Sequence, residues 1–93
     1  MEMKLINEVK DDLIENKFLV VRQANFPEIF AVRECTGKKI TVECKIDGKF
    51  TKEENLKLIE LWVKYDIHPF IARMSEGKIV YFDLIFGEDI NAI

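Results

Sequence analysis

The sequence predicts one α/β domain over residues 1–93, a mixed β-sheet flanked by helices in the order α-β-β-β-α-β-β. Three observations predict it. The stretch "ITVECK" (40–45) alternates apolar and polar positions among β-branched residues, the period-two signature of a strand. Thr51-Lys-Glu-Glu54 is a capping box, a hydroxyl followed three residues later by a carboxylate, and it opens an apolar run at helical spacing. Turn signals at "CTGK", "IDGK" and "SEG" divide much of the remaining chain into strand-length pieces.

Each element has its own reason. Leu5, Ile6, Val9 and Leu13 recur at helical spacing, so residues 3–15 form an amphipathic helix. "KFLVVRQ" (17–23) is a short strand, and "PEIFAVRE" (27–34) a second, opened by a proline that a strand tolerates at its first residue. Gly37 supplies the backbone freedom of a turn, and "KITVECK" returns as the antiparallel partner. A turn at Gly37-Lys38 sets Cys35 opposite Ile40 and Cys44 opposite Ala31, so no intramolecular disulfide is expected.

The capped helix runs to about Lys64. Leu56, Leu58, Ile59, Leu61, Trp62, Val63 and Tyr65 cover more than half its circumference, an arc wide enough for two contacts, one with the sheet and one with something else. "HPFIARM" (68–74) and "KIVYFDL" (78–84) form a last hairpin, and the tail "IFGEDINAI" is expected to be irregular or helical. Three strands in a meander, then a helix crossing to a strand parallel to the third, fit an α/β sandwich of restriction-endonuclease type.

Composition narrows the function classes. Apolar residues make up 48% and charged residues 33%, as in an ordinary soluble protein, and the longest apolar runs are far too short to span a bilayer. The N-terminal "MEMKLINEVKDD" has no signal-peptide anatomy, so a cytoplasmic location is expected, with no membrane partner. Two cysteines without CxxC spacing and a single histidine, His68, argue against zinc and for packed, free thiols. Net charge is −3, but acids concentrate at both ends, while residues 17–82 hold twelve basic against nine acidic side chains. A positive face on the body is compatible with this; a strongly basic stripe is not visible.

The charges inside the third strand are the informative feature. Period two puts Thr41, Glu43 and Lys45 on one face and Ile40, Val42 and Cys44 on the other. Glu28 stands at the start of the neighbouring strand. Two carboxylates converging from adjacent strands suit a hard divalent cation, because Mg²⁺ takes oxygen ligands and retains several waters. A lysine beside such a cation would offset charge developing on a phosphate. The alternative is a cross-strand salt bridge, Glu43 with Lys45 or Arg33, and a solvated Glu28.

Pro27-Glu28, fourteen intervening residues, and Glu43-Cys44-Lys45 resemble the PD-(D/E)XK nuclease motif, here PE…ECK. The likeness extends over roughly residues 5–84 to the layout of archaeal Holliday junction resolvases: an N-terminal helix, "FLVVR", "PEIFAV", "TVECK", and "EENLKLIELW" before "HPFIARM". The resemblance implies that Glu28 and Glu43 are metal ligands, with the Cys44 carbonyl a third, and that Lys45 is the catalytic lysine. It implies an acid on the first helix near Asn7 or Glu8, of which Glu8 is the carboxylate. Glu54 falls where such nucleases often carry a glutamine, a position the capping box explains equally well. Arg22 would contact a DNA phosphate or snorkel at the sheet edge.

The function expected is therefore a Mg²⁺- (or Mn²⁺-) dependent DNA endonuclease, resolvase-like, acting on DNA such as a four-way junction. Two symmetric nicks require a homodimer, for which the surface around Leu58, Leu61, Trp62 and Tyr65 is the expected site. The alternatives are a nuclease fold without the chemistry that binds DNA or a protein partner, and an oligomerising α/β domain with no nucleic-acid role.

Overall fold

The computed structural model describes residues 2–93. Among them lie α1 (Glu2–Glu15), β1 (Leu19–Arg22), β2 (Ile29–Arg33), β3 (Lys38–Cys44), α2 (Lys52–Tyr65), β4 (His68–Ser75), β5 (Lys78–Asp83) and β6 (Glu88–Ile90). The strands form one sheet in chain order. β1, β2 and β3 are an antiparallel meander, β3 and β4 are parallel across the α2 crossover, and β4, β5 and β6 are antiparallel.

Two expectations are corrected. The tail is not irregular or helical throughout: Glu88–Ile90 adds a sixth strand to β5. Its anchor is tertiary, since Arg73 of β4 grips the Asp89 carboxylate with two hydrogen bonds of 2.9 and 3.0 Å. The β2–β3 register also differs. Arg33 pairs with Lys38 and Ala31 with Ile40, so Cys35 lies in a four-residue connection rather than opposite Ile40. Gly37, at φ +72°, makes that connection. Both thiols are free, Cys44 buried and Cys35 exposed.

The sheet has two unlike faces. Ile29, Ala31, Ile40, Val42, Phe70, Ala72 and Tyr81 point toward α1, where Leu5, Ile6, Val9 and Leu13 complete the main core. Each such aliphatic side chain contributes about 1.5–3 kcal/mol by leaving water. The buried Tyr81 hydroxyl donates to Asp12 of α1, so the one polar atom this ring brings inside is satisfied. α1 ends as Lys17 enters the left-handed region at φ +72°.

The opposite face carries Thr41, Glu43 and Ile71, and α2 covers only part of it. Leu58 is the buried residue of α2; Leu56, Val63 and Tyr65 are exposed and Ile59, Leu61 and Trp62 half-buried. Of the expected two-contact arc, one part meets the sheet and the rest is uncovered within this chain. The helix is well terminated at both ends. Thr51 and Glu54 form the complete capping box, Asp66 closes the C-terminus in the left-handed conformation, and Lys39 Nζ donates to the Tyr65 carbonyl at 2.8 Å.

Candidate functional site

Pairing of Ile29 with Val42 brings Glu28, one residue before β2, opposite Glu43, one residue further along β3. The approach to Glu28 is held by Gln23, whose backbone N–H donates to the Glu28 carbonyl at 2.8 Å and whose amide donates to the Pro27 carbonyl at 2.8 Å. Sequence reasoning missed Gln23. Its only signal there is an amide side chain four residues before the proline.

Alternation along β3 turns Glu43 away from the α1 core, yet the residue is only 4% exposed. Its Oε1 is buried with no hydrogen-bond partner among the described residues. A buried carboxylate oxygen without a donor is costly when ionised. Accordingly the Glu43 carboxyl is pushed up to about 7, chiefly by burial; the Lys45 charge opposes this, the Glu28 carboxylate adds to it, and the Glu28 backbone N–H opposes it weakly. Glu28, Glu43 and Lys45 therefore act on one another electrostatically at one end of the sheet.

Lys45 extends the parallel ladder, its N–H donating to the Ala72 carbonyl at 2.9 Å. Because successive residues of a strand point their backbone groups to opposite sides, the Cys44 carbonyl is directed toward the β2 side, where Glu28 lies. The Lys45 ammonium reaches Glu54 Oε2 at 2.7 Å. Partial burial works to raise the Glu54 carboxyl, but hydrogen bonds from Lys45 and the Thr51 N–H outweigh it and hold the group below the ordinary glutamate range. Glu54 thus caps α2 with one oxygen and pairs with Lys45 through the other.

Arg22 lies at the rim, its guanidinium 4.0 Å from Glu28 and donating to Met3 Sδ at 3.2 Å. Two sequence expectations do not join the cluster. Glu8 sits on α1, which packs against the Ile40–Val42–Cys44 face, and it lines a separate groove with Asp11, Asp12 and Lys78. Helix phase predicts that Glu8 flanks the apolar stripe but not which sheet face the stripe meets. Arg33, the alternative partner of Glu43, is on the α1 side, bonded to the Asn16 and Ile93 carbonyls at 3.1 and 2.9 Å and lying over the Phe18 ring.

Among the described residues no three His, Cys, Asp or Glu side chains gather closely enough to hold a metal by themselves. Glu28 and Glu43 offer two carboxylates, one with an orphaned buried oxygen. That donor set fits a hard cation that takes one or two carboxylates and keeps its waters, and does not fit a fully protein-ligated centre.

Neither a family model nor a curated protein matches this sequence. A solved structure does resemble it. Hjc, a Holliday junction resolvase from the archaeal hyperthermophile Archaeoglobus fulgidus, superposes with a TM-score of 0.76 at 16% identity, over 97% of this chain and 83% of that one. The chain thus has a fold of the kind seen in that resolvase, a six-stranded mixed sheet flanked by two helices.

Proposed function

We propose that the protein is a divalent-metal-dependent DNA endonuclease, resolvase-like in its substrate, with Glu28, Glu43 and Lys45 at its centre. The carrying observation is the buried, unpartnered oxygen of Glu43, a residue opposite Glu28 in the register and within the electrostatic reach of Lys45, on a fold shared with a junction resolvase. Glu28 and Glu43 would hold Mg²⁺ or Mn²⁺, with the Cys44 carbonyl directed to the same side. When bound, such an ion supplies Lewis acidity and an activated water. Lys45 presents its ammonium to charge developing on the phosphate, and Arg22 offers a contact to a neighbouring phosphate. A cutter of two strands at a junction would act as a C2 dimer. Leu58 is spent on the sheet, so the partner surface reduces to the uncovered Leu56, Val63 and Tyr65 with half-buried Leu61 and Trp62.

The test is incubation with four-way junction, flap and linear duplex DNA under Mg²⁺ and Mn²⁺. Cleavage is expected for the wild type and is lost in Glu43→Ala and Lys45→Ala with the fold intact; undiminished cutting by either variant removes the assignment. One observation favours a second reading, a fold-sharing DNA or protein binder without chemistry: among the described residues no His, Cys, Asp or Glu completes a three-ligand cluster with Glu28 and Glu43. Calorimetry separates the two, since the binder takes up no Mg²⁺ or Mn²⁺ at millimolar concentration.

A further inference from the structure

We propose that the capping box of α2 is a positioning device for Lys45, in which Glu54 ties the lysine ammonium to the first turn of the helix and Thr51 sets it at one remove. The geometry is a relay of three short contacts. Thr51 Oγ1 accepts from the Glu54 N–H at 3.1 Å, Glu54 Oε1 accepts from the Thr51 N–H at 2.8 Å, and Glu54 Oε2 meets Lys45 Nζ at 2.7 Å. An ordinary capping glutamate leaves its second oxygen in water. Here both oxygens are committed, one to the helix and one to the lysine, in a pair that is three-quarters or more shielded from solvent.

A lysine side chain is a compact charge on a flexible four-carbon stem, so its position is only as defined as its partner. Glu54 is a well-defined partner because the cap fixes its backbone and one of its oxygens. The end of β3 and the start of α2 are therefore joined through this carboxylate as well as through the connecting loop. A glutamine at 54 would do this poorly: it carries no charge to pair with the ammonium, and its amide nitrogen donates where the carboxylate has a second accepting oxygen.

The structural part of this inference is independent of cleavage; only its kinetic consequence rests on the nuclease reading. The experiment follows the Lys45 ammonium by ¹⁵N relaxation of the side-chain Nζ in the full-length, metal-free protein, assigned with Lys45→Arg. In the wild type the Lys45 signal is expected to be more ordered than that of the exposed Lys10. It falls in Glu54→Gln and Glu54→Ala, falls in Thr51→Ala, and recovers in Thr51→Ser. Unchanged Lys45 order in Glu54→Gln, with helix content retained, overturns the proposal, and that variant serves even where Thr51→Ala loosens the first turn. With DNA cleavage established, Glu54→Ala is expected to lower kcat about a hundredfold with KM little changed; a wild-type kcat overturns the positioning role. A wild type that cuts nothing but shows the ordered lysine defeats the nuclease reading and upholds the relay.

Discussion

Glu28 and Glu43 stand opposite each other at the entry to β2 and the end of β3, and the buried Glu43 titrates near 7. In the unfolded chain the same carboxyl titrates near 4.5. Between those values the folded protein binds a proton that the unfolded chain has released, so stability falls as pH rises from about 4.5 to 7 and levels above. The shift corresponds to roughly 3 kcal/mol. Glu43→Gln, which mimics the protonated acid, should match the wild type at pH 5 and exceed it at pH 8 in urea unfolding. A difference that does not change between those pH values contradicts this assignment.

Asp83 shows the opposite sign. Burial tends to raise its carboxyl, but His68 Nε2 at 2.7 Å and the backbone N–H groups of Phe86 and Ile85 at 3.1 and 2.9 Å outweigh it, and the group is held below the ordinary aspartate range. Its contribution is present above the unfolded value near 3.8 and is lost as pH falls through the folded one. Asp83→Asn should destabilise by about 1–3 kcal/mol at pH 7. The gap from wild type should narrow at pH 3, as followed by denaturant titration.

Two glycines separate backbone strain from crowding. Gly37 and Gly48 have nearly the same positive φ, +72° and +73°. A Cβ on Gly37 meets nothing within 4 Å, whereas one on Gly48 comes within 2.8 Å of Arg73 Cδ. Alanine at either position should cost about 1–2 kcal/mol for the left-handed conformation. Gly48→Ala should cost more, and it should also disturb the Arg73–Asp89 contact that holds β6. Equal losses of thermal stability in the two variants would show that Arg73 moves aside freely.

What the sequence reveals follows from which features are local. The alternation of Ile40 to Lys45 and the Thr51–Glu54 box are set by residues a few positions apart, and both appear in the structure as expected. β6 escaped notice because three residues, two of them acidic, are too few to show alternation; their strand conformation comes from β5 and Arg73. The position of Cys35 was misjudged because a glycine marks a turn without marking its length. The surroundings of Glu8 could not be read either, because an amphipathic helix declares its apolar stripe but not which face of a sheet receives it. The clustering of Glu28 with Glu43 needed the right register, and Lys45 with Glu54 needed the path of the loop between them.

Much of the uncovered apolar surface lies on one side of the sheet. Register puts Leu19 and Val21 of β1 on the same face as Phe30 and Thr41, the face that α2 only partly covers. On α2 itself Leu56 and Val63 are seven residues apart, hence on one stripe, and Val63 is 74% exposed. Exposed apolar side chains of this kind are what a second copy of the chain would cover, as the proposed junction cutting would require. The protein is therefore expected to sediment as a dimer at micromolar concentration. Val63→Glu should sediment as a monomer with an unchanged circular dichroism spectrum, because that side chain packs on little within its own chain. A wild type that is monomeric at every concentration tested removes the dimer, and with it the symmetric two-strand cut.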